Sequence, residues 1–295
     1  NRGSFALLQK EVVESGKCIE CGTCVAVCNY NALSWSDILK KPILGGEKAT
    51  GKCVACGVCY HQCPQSLASE QYLIGSFKNA FITKSKTFSG QDGGTVSTLL
   101  AYFFSNNLID TAIATKKNDN ALWLPEAIIL KSAKDVEPTT GSIYAHSQVT
   151  GKLIEAIKGG AKKIAIVGCP CKSSAVFTLN SSEEAIFKST EGLKIYNIGL
   201  FCMEAFNPEK LHTILESKNV DLQKVQKMDF SGGKFRIYYG VDGKLEEFAA
   251  FSISSLHEAV ETSCFSCADF AAECADISIG SAGAPEGWNM VLART

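Results

Sequence analysis

Hydrophobic positions change rhythm near residue 70. Before it they fall in short groups between cysteines; after it, apolar runs recur as alternating strands and helices. The pattern predicts a short strand over 79–83, a helix over 95–106 and a strand over 111–115, followed by an apolar run at 127–130 and an amphipathic helix over 151–158. Residues 162–167, with Ile164, Ala165, Ile166 and Val167 in succession, have the continuous apolar character of a strand buried on both faces of a parallel sheet, and 193–201 reads the same way. A helix over 208–217 follows, then short strands over 235–239 and 248–253. This alternation predicts an α/β domain with a mixed sheet over 71–295. The longest apolar run, 96–104, is interrupted by Ser97 and Thr98 and falls short of the roughly 18 residues of a membrane span, so it reads as a buried helix.

The segment before residue 70 is organised by its cysteines. Eight of the fourteen form two near-copies of one run: Cys18-x-x-Cys21-x-x-Cys24-x-x-x-Cys28, then Cys53-x-x-Cys56-x-x-Cys59-x-x-x-Cys63-Pro64. This is the ligand spacing of a bacterial-type two-cluster ferredoxin, in which three thiolates wrap one cubane and the fourth reaches the other. One [4Fe–4S] cluster is therefore expected on Cys18, Cys21, Cys24 and Cys63, and a second on Cys53, Cys56, Cys59 and Cys28. Zinc is the competing metal, but its sites close on four ligands, usually in two separated pairs. The first copy has Asn29 where the second has Pro64, which leaves every thiolate in place. Residues 1–70 are thus expected to form an α+β ferredoxin module, with 34–50, carrying Lys40-Lys41-Pro42 and Gly45-Gly46, as a surface connection between its halves.

Bulk properties narrow the function classes. With 46% hydrophobic and 20% charged residues, the composition is that of a globular protein. A net charge of −1 gives no basis for a nucleic-acid partner or a polybasic membrane anchor. No secretory signal precedes the first cysteines, and cluster thiolates need a reducing compartment, so a cytoplasmic location is expected.

The remaining cysteines are Cys169, Cys171, Cys202, Cys264, Cys267 and Cys274. Gly168-Cys169-Pro170-Cys171 and Gly199-Leu200-Phe201-Cys202 each end a predicted strand, and Cys264-x-x-Cys267 lies in a polar stretch. Ligands gather at the carboxyl ends of strands in open α/β sheets. A third cluster and a set of buried core thiols both remain open on spacing alone. Gly90-Gln91-Asp92-Gly93-Gly94-Thr95 leads into the first long helix, where free backbone N–H groups suit a phosphate or simply cap the helix. A second glycine-rich stretch, 280–288, ends in Trp288 and could cover a ring system or form a plain turn. The four histidines, His61, His146, His212 and His257, show no catalytic pairing, and no catalytic side chain is predicted.

Taken in order, these features resemble the family of coenzyme F420 hydrogenase/dehydrogenase beta subunits. The resemblance runs through Gly90-Gln91-Asp92-Gly93-Gly94, Gly168-x-Pro170-Cys171, Gly199-Leu200-Phe201-Cys202-Met203-Glu204, Gly233-Lys234-Phe235 and Cys264-x-x-Cys267-x-Asp269. It continues through Ala275-Asp276-Ile277-Ser278 to Gly280-Ser281-x-Gly283-x-Pro285-Glu286-Gly287-Trp288 and Arg294-Thr295, over about residues 75 to 295. It implies a bound FAD, coenzyme F420 as substrate, and a third [4Fe–4S] cluster on Cys171, Cys202, Cys264 and Cys267. Cys169 and Cys274 are left out as core thiols. It also implies flavin contacts from Gly93, Gly94 and Thr95, and cofactor contacts from Tyr144, Gly283 and Trp288. Gly141-Ser142-Ile143-Tyr144 departs from the family's Gly-Thr-Lys-Tyr by losing its lysine.

The implied activity is that of an electron-input subunit of methanogens and related archaea, an F420H2 dehydrogenase. A hydride passes from reduced F420 to FAD, then single electrons pass through three clusters to a redox protein or to subunits of a membrane complex on which the chain docks. Alternatives are the F420-oxidising half of a fused sulfite reductase, a ferredoxin-dependent reductase of a pigment-like substrate, or a relay without flavin.

Overall fold

The computed structural model describes residues 5–66, 75–181 and 190–295. The boundary expected near residue 70 lies outside them. The amino-terminal module is built from one-turn pieces: α1 (Phe5–Leu8), continued by a π-helical turn Gln9–Val13, then α2 (Thr23–Ala26), β1 (Leu33–Ser36), β2 (Lys41–Leu44) and α3 (Val58–His61). Such short helices are not stable alone; here Phe5, Leu8, Val12 and Leu33 pack around cysteine side chains, with Cys18, Cys24, Cys28, Cys59 and Cys63 in the same apolar cluster. The 34–50 segment is more than the expected connection. It carries most of an antiparallel hairpin in which Ser34 pairs with Ile43 and Trp35 with Pro42.

The two cysteine runs also repeat their backbone. Gly22 (φ 77°) and Gly57 (φ 86°) follow the second cysteine of each run, and Glu20 (φ 55°) and Ala55 (φ 53°) precede it. A left-handed conformation on a non-glycine residue is uncommon. Its recurrence at one register in both copies shows two loops curled the same way.

The larger domain comprises β3 (Asn79–Thr83), α4 (Thr95–Ser105), β4 (Thr111–Lys117), β5 (Pro125–Leu130), α5 (Val149–Lys158), β6 (Lys163–Gly168), α6 (Pro170–Ser181), β7 (Lys194–Leu200), α7 (Pro208–Ser217), β8 (Val225–Ser231), β9 (Lys234–Val241), β10 (Lys244–Ser252), β11 (Ile277–Gly280) and β12 (Asn289–Ala293). Seven strands form a mixed sheet in the order β3-β12-β11-β7-β6-β4-β5. The inner strands β11, β7, β6 and β4 are parallel; β5 and β12 run against their neighbours, and β3 against β12.

Alternate residues of the central strands face opposite layers. Ile113, Ile164 and Ile166 meet Leu153, Ile154 and Ile157 of α5. Ala112, Ala114, Ala165 and Val167 face Leu100 and Phe103 of α4. Burial on both faces accounts for the unbroken apolar run read from 162–167. A separate antiparallel sheet, β10-β9-β8, packs with α7 around Phe206, Phe235 and Ile237.

The module is seated on this domain. Val27 enters the α5 core, and Ile19 and Cys21 pack with Ala175 and Cys171. Lys158 Nζ donates to the Ala26 carbonyl at 2.7 Å, and Thr262 Oγ1 to the Gly16 carbonyl at 3.4 Å.

Candidate cluster and cofactor site

The folded module gathers its eight cysteines into two sets. Cys18, Cys21, Cys24 and Cys63 line one space with Leu8, Val12 and Ile19; Cys28, Cys53, Cys56 and Cys59 line another with Phe5, Leu33 and Val58. Each set draws its fourth thiol from the other run, as the spacing predicts. Among the described residues, no three His, Cys, Asp or Glu side chains converge on a single metal ion. Each space is bordered by three thiols of one run and one of the other, the donor pattern of a paired cubane module and not the two separated pairs of a zinc site. Burial, then neighbouring thiols, pushes Cys59 up to about 11 and Cys63 up to about 12. These thiols therefore ionise when a metal takes the charge. The Ala32 N–H donates to Cys28 Sγ at 3.3 Å.

A further set of thiols forms at the carboxyl edge of the large sheet. β6 ends at Gly168 and delivers Cys169 and Cys171 to the first turn of α6; β7 ends at Leu200, just before Cys202; a 3-10 turn, Thr262–Ser266, brings Cys264 and Cys267. Burial raises Cys171, Cys264 and Cys267, each of which also feels neighbouring members of the group. A hydrogen bond between Cys169 and Cys202 lowers the first and raises the second. Cys169, expected as a core thiol, thus stands beside the group as a fifth thiol, against Cys202. Cys274 lies apart, beside Ser174 and Arg294.

Hydrogen bonds from neighbouring segments hold the group in place. The Ala205 N–H donates to Cys264 Sγ at 3.3 Å. Arg294, buried, donates to Ser278 Oγ (2.8 Å), the Ser76 carbonyl (2.8 Å) and the Ala271 carbonyl (3.0 Å), and Asp269 accepts the Glu273 N–H. Together they clasp the segment that follows Cys267.

The glycine-rich loops leave the same sheet edge, because β3 runs in the direction of β11. The Gly90–Gly94 loop is latched to the small sheet: Gln91 Nε2 donates to the Met228 carbonyl (3.0 Å) and Asp229 Oδ1 (2.8 Å), and Lys227 Nζ donates to the Gln91 carbonyl (2.9 Å). A side chain at Gly93 would lie 2.6 Å from Asn289 Oδ1, so glycine there lets the loop press onto β12. The Thr95 N–H donates to Asn289 Oδ1 at 3.3 Å. Among the described residues, no backbone carbonyl accepts from the N–H groups of Gln91 to Gly94. Tyr144 sits among Phe230 and Phe235, its hydroxyl accepting from the Phe230 N–H at 3.3 Å, and it borders Asp92 and Asp229. Gly283 (φ 83°) bends the second loop, which ends with Trp288 5.9 Å below Lys84 Nζ.

Three family models match this chain. Residues 79–153 match the amino-terminal part and 161–295 the carboxyl-terminal part of the coenzyme F420 hydrogenase/dehydrogenase beta subunit; 17–68 match a 4Fe–4S dicluster domain. One subunit of the F(420)H(2) dehydrogenase of Methanosarcina mazei is 33% identical over 97% of this chain and 81% of its own length. The coenzyme F420-dependent sulfite reductase of Methanocaldococcus jannaschii is 31% identical over 97% of this chain, which spans 45% of that protein. A chain of the F420-reducing [NiFe] hydrogenase complex from Methanosarcina barkeri superposes with a TM-score of 0.70 at 29% identity, covering 77% of this chain and 78% of that one.

The chain belongs to the family of coenzyme F420 hydrogenase/dehydrogenase beta subunits. As a beta-subunit relative with a 4Fe–4S dicluster region in front, it is an F420-linked iron–sulfur oxidoreductase. The donor sets fit iron–sulfur groups: two four-thiol spaces in the module and a five-thiol group at the sheet edge. The unpaired N–H groups ahead of α4 fit a phosphate-bearing cofactor. Lys172, directly after Cys171 in the first turn of α6, is the residue the sequence did not set apart; its only signal was that neighbouring cysteine.

Proposed function

We propose that this beta-subunit relative is the electron-input subunit of an F420H2 dehydrogenase, delivering electrons from reduced F420 to a redox partner. The observation that carries it is the packing of Cys171, from the sheet-edge group, with Ile19 and Cys21, from the first ferredoxin loop. The sheet-edge thiols thus abut the module, in the arrangement a relay needs. Cys171, Cys202, Cys264 and Cys267 are the ligands assigned to a third [4Fe–4S] cluster, with FAD assigned to the edge bounded by Gly93, Gly94, Thr95, Tyr144, Gly283 and Trp288. Bound there, FAD would exchange a hydride for single electrons and the cubanes would carry them singly.

The chain's own residues give the module a direction. Cys21 is buried against the domain, whereas Cys53 and Cys56 are exposed beside exposed Tyr30 and Val54. The second ferredoxin site is therefore the face offered to a partner. Among the described residues no helix is long and apolar enough to cross a membrane, so a membrane complex would be met by docking. The match to part of a sulfite reductase supports a second reading, in which the same module feeds a catalytic domain of one larger protein.

The deciding experiment mixes the anaerobically purified protein with F420H2 and a one-electron dye. Catalytic appearance of oxidised F420 that depends on bound FAD supports the reading. Inert F420H2 with clusters and flavin intact overturns it and favours a reductase working in the opposite direction.

A further inference from the structure

Lys172 is a lysine with almost no contact with solvent, 3% exposed, in a place where a cation needs a reason. Its backbone belongs to the sheet-edge thiol group: it follows Cys171 directly, and its N–H donates to the Cys169 carbonyl at 2.8 Å. Its ammonium reaches the other way and donates to the carbonyl oxygen of Ile19, between ligands Cys18 and Cys21 of the first ferredoxin site. Gly168 makes room for the stem, since a side chain there would lie 2.7 Å from Lys172 Cβ.

No ion pair among the described residues includes Lys172. The carboxylate in the Ile19 loop, Glu20, is held instead by Lys41 at 3.0 Å. A buried ammonium with only a carbonyl partner is costly unless negative charge lies nearby. Four-thiolate iron–sulfur clusters carry net negative charge and gain more on reduction, and Lys172 lies between two sets of such thiols. The positive end of the α6 dipole, at the same place, has the same sign.

We infer that Lys172 is an electrostatic bridge that raises the reduction potentials of both flanking clusters, the first ferredoxin cluster and the sheet-edge cluster. This rests on the third-cluster reading above. It acts as a positioning residue: its charge favours the reduced form of each cluster, because attraction grows as the cluster gains an electron. The second ferredoxin cluster, on Cys53, Cys56, Cys59 and Cys28, lies beyond the first and does not share it.

The test is an anaerobic redox titration, followed by electron paramagnetic resonance, of the full chain and of Lys172→Met and Lys172→Arg, with iron and sulfide counted for each. The expected result for Lys172→Met is a tenfold or larger loss in the reduction equilibrium of both flanking clusters, about 59 mV per one-electron couple. The second ferredoxin cluster should hold its potential, and Lys172→Arg should keep all three near wild type. Unchanged potentials in Lys172→Met with three clusters present overturn the bridge and leave the third-cluster reading intact. A wild-type chain with iron for only two clusters overturns both. If Lys172→Met cannot hold its clusters, Lys172→Arg decides: three clusters at wild-type potentials support a role for charge, and the same loss overturns it.

Discussion

The backbone N–H of Gly151 donates to the carbonyl oxygen of Cys21 across 3.2 Å, tying the first turn of α5 to a ferredoxin ligand loop. Two glycines face each other at this joint, and they are not equivalent. Gly22 has φ 77° and a side chain there would meet Gln148 at 3.3 Å, whereas one at Gly151 would find only ordinary contacts at 3.9 Å. Gly22→Ala is therefore expected to cost about 1–2 kcal/mol from the left-handed backbone alone and to lower cluster content. Gly151→Ala should be neutral or stabilise by up to about 1 kcal/mol through helix propensity. Thermal melts with iron analysis of the two variants check the contrast.

His146 makes stability depend on acid. Its ring lies beside Ser263 at 3.3 Å, and burial, then the ammonium groups of Lys172 and Lys41, holds its proton affinity well below the ordinary value of 6.5. The unfolded chain takes up a proton as pH falls through 6.5 while the folded chain does not. Stability is thus complete above that value and declines below it, by at most about 1.4 kcal/mol per pH unit. Denaturation midpoints of the wild type should fall between pH 7.5 and 5.5, and His146→Gln should flatten that slope. Equal slopes would show that other groups dominate.

Five thiols meet at the sheet edge where a cubane needs four. Cys171, Cys202, Cys264 and Cys267 come from three different parts of the chain, while Cys169 stands against Cys202. Cys202→Ser is expected to lose the sheet-edge cluster and spare the two ferredoxin clusters. Cys169→Ser should keep all three with an altered spectrum. Iron counting and electron paramagnetic resonance on both variants test this, and the reverse outcome would exchange their roles.

The ferredoxin cysteines were legible because their ligand geometry is local: each run spans a tight loop whose spacing carries the chemistry. The large sheet was legible wherever burial on both faces left an unbroken apolar run, as in Ile164 to Val167. α6 escaped because it buries Lys172, Ser173 and Ser174, which hides any apolar stripe. The hairpin of 33–44 escaped because its polar residues and Pro42 resemble a loop. Cys169 looked like a core thiol because its partner, Cys202, arrives from a different strand, and no local spacing records that encounter. The same holds for Tyr144, whose aromatic neighbours Phe230 and Phe235 come from the small sheet.

Arg294 offers a remote handle on the sheet-edge group. Its guanidinium makes three bonds to Ser278, Ser76 and Ala271 from a buried position, and the segment it clasps begins just after Cys267. Arg294→Met would strip three acceptors of their donor, at about 1–3 kcal/mol for each group left unsatisfied. Lysine would restore the charge but cannot span three acceptors with a planar fork. Both variants should release Cys267 from its place, so the sheet-edge cluster is expected to be lost or labile while the ferredoxin clusters persist. Iron counting beside the wild type checks this.

The exposed face around Cys53 and Cys56 should matter to a protein acceptor and not to a small one. Tyr30 and Val54 stand 49% and 55% exposed beside these ligands, an apolar collar with no partner side chain over it among the described residues. Charging the collar with Val54→Glu places a carboxylate where a docking protein would have to desolvate it. With reduced F420 as donor, electron delivery to an oxidised bacterial ferredoxin should fall at least tenfold, equivalent to about 1.4 kcal/mol in docking. Reduction of a small viologen dye, which reaches clusters without docking, should stay at the wild-type rate. Equal losses with both acceptors would mean that the substitution had damaged the cluster itself. Equal retention would move the exit to another face.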